Sequence, residues 1–396
     1  MKRLPALCLV AAAMLALVRP LWAEDSIVVG VPLPLTGDQA KFGEMEKNSY
    51  LMALDEINKA GGVKGKKLEL DIQDSQGKPE VARSIVENFI DVKKYPVVVG
   101  AYSSSESKQV AAVAQEKKIP YLVVTGSADD ITQQGYDYVF RLNHTTEMYP
   151  EGLITFLNEV VKPKTVSILY ENTDFGTSSS KSFAKVAEQN GWQVLLNEGY
   201  EKGALDFKPL LQKVKSANPE VLYMVSYVMD AAKLMNDAKA LRVEPKLFVG
   251  GGAGFTLPEF QVNAKDAAEY VISVTLWAPE VKYPGARQYA ENYKKLYGGE
   301  SDYHGVQAYA AAYVLADALK RAKSLTPKDI RDAMATTDLM TPYGPVKFIS
   351  FGKYTNQNKL PSFVLQWLKG QPQTVWPKEY TSASYVFPVP RWKERH

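Results

Sequence analysis

Cysteine is almost absent: the 396 residues include one, Cys8, and it lies in an apolar N-terminal run. Lys2 and Arg3 precede an unbroken apolar stretch from Leu7 to Val18, followed by Arg19, Pro20 and the small Ala23. This is the layout of a cleaved secretory leader over residues 1–23, which predicts export to the periplasm. The stretch has 12 residues, and a bilayer span needs about 20. Nothing after Cys8 resembles a mature start, so a lipid-bearing first cysteine is not expected. A chain beginning at residue 24 has no cysteine, which excludes disulfides, thiolate nucleophiles and cysteine-ligated metals.

Histidine is scarce too. His144, His304 and His396 are the whole supply, and no two stand at metal-ligand spacing. No metal, no cofactor and no catalytic residue is therefore expected. Excess charge is also missing. The leader carries three of the 47 basic residues and none of the 44 acidic ones, so the remainder is balanced. No basic run of five or more occurs, so nothing in the charge leads us to expect nucleic acid as a partner. No later apolar run approaches 20 residues, which points to a free protein and not a tethered receptor.

What is present is a repeating alternation of short β-branched apolar runs and longer amphipathic stretches, the pattern of strand-helix-strand units on parallel sheets. Strands are predicted at residues 27–31, 68–72, 97–101, 121–125, 166–170, 194–197, 221–226, 247–250 and 270–276. Their near-continuous apolar character fits burial on both faces. Tyr50, Ala53, Leu54 and Ile57 recur at helical spacing, and Gly61-Gly62 ends that helix where a left-handed cap is needed. Val306, Tyr309, Ala310, Tyr313 and Val314 form a second helical stripe, read as core packing. Nine strands are too many for one comfortable doubly wound sheet. A break falls at residues 143–150, after the fourth strand and a turn-rich extension, and a second half restarts at Val166. The region after Pro279 is too poor in strands for a sheet of its own and is expected to complete the two halves.

Several fragments, in order, carry a family resemblance: VVGVPLPLTGDQAKFG (28–43), INKAGGVKGKKLEL (57–70), VVGAYSSS (98–105), IPYLVVTGSADDIT (119–132) and YENTDFG (170–176). Over about residues 27–370 the chain closely resembles type I periplasmic solute-binding proteins of the branched-chain amino acid (Leu/Ile/Val-binding) ABC transporter class. The resemblance implies an α/β fold of two doubly wound, Rossmann-like lobes joined by a three-stranded hinge. Lobe 1 should take residues 24–143 and 275–352. Lobe 2 should take 144–274 and 353–396, the latter including the C-terminal tail. It also implies a monomer that binds a small molecule between the lobes and docks to a membrane permease. Strand ends in open parallel sheets and interdomain clefts are common ligand sites in any case.

Ser103, Ser104 and Ser105 follow a strand and precede a helical run, so a serine there either caps the helix or helps its free N–H groups hold a carboxylate. The resemblance matches Ser103 to the family's carboxylate-binding serine, and Ser104 adjoins it. Thr125, Gly126 and Ser127 match a second stretch of ligand contacts. Phe42, Phe175 and Tyr227 match aromatic pocket positions, and Tyr102 and Trp277 are further candidates for the wall. Amino-acid-binding members carry an acidic residue that pairs with the ligand's ammonium; the matching position here is Gly252. An unpaired buried ammonium is costly. The expected ligand is therefore an apolar carboxylate of the benzoate or phenylpropanoid type, with space left by Gly252 for its body. Glu259, Asp230 or Asp174 could supply the missing charge. That keeps a branched-chain or other hydrophobic amino acid as the alternative, beside a ligand-sensing receptor module.

Other motifs carry less. GGGAG (250–254) lacks the spacing and Lys-Ser/Thr of a phosphate loop. Ser105-Glu106-Ser107-Lys108 matches one serine-hydrolase element whose companions are missing. His144 lies near a lobe crossing, where it either reaches the ligand or serves as a loop histidine. The tail at 380–396 either straps one lobe or is mobile.

Overall fold

The fold is taken from a computed structural model, which describes residues 26–395. The expected leader over residues 1–23 lies outside them. Apolar runs form the strands as their composition requires. The chain opens with β1 (Ile27–Leu33), α1 (Ala40–Lys59), β2 (Leu68–Asp74), α2 (Pro79–Asp91), β3 (Val98–Gly100), α3 (Ser104–Lys117), β4 (Tyr121–Val123) and β5 (Val139–Arg141). It crosses to a second lobe with α4 (Glu151–Phe156), β6 (Thr165–Glu171), α5 (Asp174–Gln189), β7 (Gln193–Tyr200), α6 (Lys208–Ala217) and β8 (Val221–Val225). That lobe continues through α7 (Val228–Leu241), β9 (Leu247–Gly250), α8 (Pro258–Ala264) and β10 (Ile272–Thr275). A return crossing leads to α9 (Ala286–Tyr297), α10 (Tyr303–Arg321), α11 (Pro327–Ala335), β11 (Asp338–Thr341), β12 (Gly344–Lys347), β13 (Ile349–Phe351) and β14 (Tyr354–Gln357). The third crossing ends in β15 (Phe363–Leu368) and β16 (Gln371–Trp376).

Two seven-stranded sheets result, in the orders β13-β14-β5-β4-β3-β1-β2 and β16-β15-β10-β9-β8-β6-β7. Pairing is parallel except where β13, β15 and β16 close the edges antiparallel. Central strands such as β8 are buried throughout, whereas β2 and β7 are edge strands and mostly half-buried. The Gly61-Gly62 stop adopts positive φ at both residues, and a Cβ at Gly62 would lie 2.1 Å from the Lys66 carbonyl oxygen.

Two expectations need correction. β5 replaces the turn-rich extension. It is three residues long and ends in the fully buried Arg141, a charge that disguises it as loop. The guanidinium is satisfied within 2.6 Å by the Ala128 carbonyl, Thr132 Oγ1 and Gln357 Oε1. Gln357 belongs to β14, which lies parallel beside β5 in the first sheet. The last crossing therefore runs between Gln357 and Phe363, past the expected boundary at residue 352.

A hydrogen-bonded knot ties the crossings together. Gln307 Nε2 donates to Asn143 Oδ1 (2.7 Å), and Gln357 Nε2 donates to the Asn143 carbonyl (2.6 Å). The His144 ring sits 3.0 Å from Tyr343 Oη and 3.2 Å from the Pro361 carbonyl oxygen. Burial lowers its pKa to about 4, so it stays neutral at physiological pH. The tail straps lobe 2: Trp392 packs against Phe248 and its Nε1 donates to the Val243 carbonyl at 2.7 Å.

Candidate ligand-binding site

The two sheets face each other across a cleft, and the loops after their strands supply its walls. From lobe 1 come Tyr102, Ser103 and Ser104 after β3, and Thr125 and Ser127 after β4. Lobe 2 supplies Phe175 at the start of α5, Tyr227 after β8 and Ala253 after β9. Tyr149 of the first crossing and Tyr303 and His304 of α10 complete the lining. The lobes are closed. Lys202 pairs with Asp38 at 2.8 Å, and the Asp129 N–H donates to Ser178 Oγ at 3.1 Å. Thr256 Oγ1 donates to Asp302 Oδ2 at 2.7 Å. The space left between the rings is about 20 Å³, room for roughly one water, so an organic ligand enters only as lobes or rings part.

The aromatic groups form one cluster. Phe42 stacks on Tyr102 at 4.6 Å between centroids and meets Tyr227 edge-on at 6.1 Å. Phe175 lies 6.0 Å from Tyr149 and 6.1 Å from Tyr227. Such rings offer a large apolar contact area with hydroxyl handles at its edge.

The polar turn at α3 is built by Ser103, whose extended backbone makes it the N-cap. Its Oγ accepts from the Glu106 N–H (3.3 Å) and donates to Glu106 Oε2 (2.7 Å), which also accepts from the Ser103 N–H (3.1 Å). This is a complete capping box. Burial raises the Glu106 pKa, against the pull of its hydrogen bonds from Ser103. Ser104 Oγ accepts from the N–H groups of Ser127 and Ala128, at 3.1 and 3.0 Å, joining the two polar turns. Behind them burial holds the Glu46 carboxyl well above its usual range, although Thr125 Oγ1 donates to it at 3.0 Å.

Of the residues singled out from sequence, Tyr102, Ser103, Ser104, Thr125, Ser127, Phe175 and Tyr227 line the cleft, with Phe42 directly behind. Gly126 does not line it: an ideal Cβ there would lie 2.4 Å from Ser107 Oγ, so this glycine permits packing of β4's loop on α3. Gly252 is also outside the lining, and Ala253 takes its place. Gly252 has φ +90°, and a Cβ would lie 3.0 Å from Tyr149 Cε1 and 3.3 Å from Tyr303 Oη. A side chain there would be strained and would press on Tyr149, and the space expected for the ligand's body is filled by Tyr149 and Tyr303. Trp277 donates from Nε1 to the Pro342 carbonyl at 2.8 Å in the hinge, and His144 is held there too. Asp174 is engaged by Lys108, Asp230 accepts from the Gly203 N–H, and Glu259 faces Lys41. Tyr149, Tyr303 and His304 escape the sequence reading. The one available signal was Asp302, an N-cap residue immediately before Tyr303-His304.

Two α/β lobes closing on a cleft whose walls come from both define a two-lobed protein with a small-molecule site between its lobes. The sequence profile of the periplasmic binding protein family matches residues 26–372, and the chain belongs to that family, as a type I member of the branched-chain amino acid transporter class. Its members are solute-binding proteins that take small molecules and work with ABC transporter permeases outside the cytoplasm. The chain is 27% identical over 384 residues to Leu/Ile/Val-binding protein homolog 7 of Brucella melitensis, covering 92% of this chain and 94% of that one. Its fold matches the branched-chain amino acid transporter substrate-binding protein LivJ of Streptococcus pneumoniae, in complex with isoleucine, at a TM-score of 0.80 and 24% identity. The match covers 89% of this chain and all of that one. It also matches a solute-binding protein of Rhodopseudomonas palustris in complex with 3,4-dihydroxybenzoic acid, at a TM-score of 0.77 and 20% identity, over 88% and 95% of the two chains.

Proposed function

We propose that this protein delivers a small aromatic acid of the benzoate or phenylpropanoid type to an ABC importer. It would act as a periplasmic monomer, after removal of its leader, by docking its closed form on the membrane permease. The ligand's carboxylate lies at the first turn of α3, beside Ser103, Ser104 and Ser127, where helix N–H groups favour an anion. Its ring lies among Tyr102, Phe175 and Tyr227, with Phe42 as backing. One observation carries the reading: rings from both lobes converge on a polar helix start, while Gly252, in a conformation that side chains rarely adopt, brings no acid to the family's ammonium-binding position. The Rhodopseudomonas palustris complex supports it as a ligand precedent on the same fold.

A branched-chain amino acid is the second reading, favoured by the buried carboxyls of Glu46 and Glu106 beside the serines. A receptor module is less well supported, since no helix among the described residues is long and apolar enough to cross a membrane. A thermal-shift screen separates the first two, because a ligand stabilises the folded state by the logarithm of its excess over Kd. Benzoate-type acids are expected to raise Tm; a rise with leucine or valine alone would overturn the aromatic-acid reading.

A further inference from the structure

Tyr303 and His304 at the start of α10 stand in the cleft, directly after Asp302 at the N-cap, and each of the three has a different engagement. Asp302 caps the helix, its Oδ1 accepting from the His304 N–H at 2.8 Å, and its Oδ2 accepts from Thr256 of lobe 2. Tyr303 Oη accepts from the Ala253 N–H of lobe 2 at 2.9 Å. His304 lines the cleft between them. Its Nδ1 lies 3.0 and 2.9 Å from the two Asp302 oxygens, and its ring stacks on Tyr303 at 3.9 Å and meets Phe42 edge-on at 4.9 Å.

The imidazole is 3% exposed, and its Nε2 has no hydrogen-bond partner among the described residues. That nitrogen is therefore left to pair with a molecule in the cleft that His304 lines. Burial pushes the Asp302 carboxyl up, but the His304 ring and the hydrogen bonds from His304 and Thr256 outweigh it and hold the acid below its usual range. The carboxylate beside Nδ1 fixes a proton on that nitrogen, and Nε2 then accepts a hydrogen bond from the neutral ring or donates one from the imidazolium. Either way it is a partner for a hydroxyl, which can donate or accept, and not a contact for plain hydrocarbon.

Resting on the aromatic-acid reading, we propose that His304, positioned by Asp302, is a specificity residue whose Nε2 hydrogen-bonds a hydroxyl on the ligand's ring, so that the preferred solutes are hydroxylated aromatic acids. The carboxylate end is held at α3, and the hydroxyl end is read at α10. Because Asp302 also binds Thr256 of lobe 2, orientation of the imidazole and closure of the lobes share one carboxylate.

Calorimetric titration of the full chain with benzoate and 4-hydroxybenzoate tests this. Wild type is expected to bind the hydroxylated acid roughly tenfold or more tighter, since a site built to pair a hydroxyl rejects the analogue lacking it. His304→Phe should bring the ratio of the two affinities close to one, and His304→Gln, which keeps a hydrogen-bonding side chain, should restore part of it. Melting curves of both variants confirm folding. Equal affinity for the two acids in wild type, or an unchanged preference in folded His304→Phe, would overturn the assignment of His304 alone. Failure of both acids to bind wild type would instead overturn the aromatic-acid reading beneath it.

Discussion

Lys108 on lobe 1 reaches Asp174 on lobe 2, with Nζ 2.5 Å from Oδ1, while its other side holds Asp130 of its own lobe at 2.7 Å. Both Lys108 and Asp174 are about one-third exposed, so the pair is worth no more than about 1 kcal/mol, and salt screens it. Its position matters more than its strength, because it exists only when the lobes are together. A bond made in one of two states shifts the population by its full difference.

Lys108→Met is therefore expected to weaken ligand binding by roughly two- to fivefold in low salt, with little change in Tm. In about 0.5 M salt the gap between variant and wild type should close, since the screening length falls below 5 Å or so. Titration at the two salt concentrations checks this. Equal affinities in low salt would show that the bridge follows closure without favouring it.

Ser103 performs two tasks that one substitution separates. As N-cap it stabilises α3, and Ser103→Ala should cost about 1 kcal/mol in chemical unfolding of the ligand-free protein. As a donor to a ligand carboxylate it must give up its bond to Glu106, and losing that donor should weaken binding by a further 1 to 3 kcal/mol or so. A fall in stability with unchanged affinity would leave Ser103 as a helix cap only.

How far the sequence discloses this arrangement depends on how locally each feature is encoded. β8 is visible because burial on both faces forces an unbroken apolar run, and the end of α1 is visible because Gly61-Gly62 supplies a backbone few residues accept. β5 is hidden, since three residues ending in Arg141 carry no strand signal and the guanidinium is satisfied by Gln357, over 200 positions away. Ser103 announces itself by following a strand and starting a helix. His304 does not: its neighbours Tyr303 and Val306 read as core stripe, and only the chain's third pass between the lobes brings it to Phe42 and Tyr102.

Gly252 offers a test of why the ammonium partner is missing. Its φ of +90° suits glycine alone, and any Cβ presses on Tyr149. Gly252→Asp is expected to lose about 2 kcal/mol of stability or more and to gain no leucine binding, with Gly252→Ala showing a similar stability loss. A stable Gly252→Asp protein that binds leucine would show that the loop accommodates an acidic side chain after all.

The pH dependence of stability should carry the mark of Glu171, a buried residue at the end of β6 whose Oε2 accepts from the Tyr227 N–H at 3.0 Å and whose Oε1 has no partner. Burial raises its pKa from 4.5 to about 7, against the lowering effect of that hydrogen bond. The unfolded chain loses this proton near 4.5 and the folded chain keeps it until about 7, so the contribution is fully present below 4.5 and lost as pH rises to 7. The displacement corresponds to about 3 kcal/mol at most. Glu171→Gln has no proton to lose, and its side-chain oxygen still accepts from Tyr227. Urea melts at pH 4 should therefore show variant and wild type nearly equal, and at pH 8 the variant more stable by up to that amount. A difference that is the same at both pH values would mean that Glu171 ionises normally, and that Tyr227 at the cleft wall is held by an ordinary carboxylate.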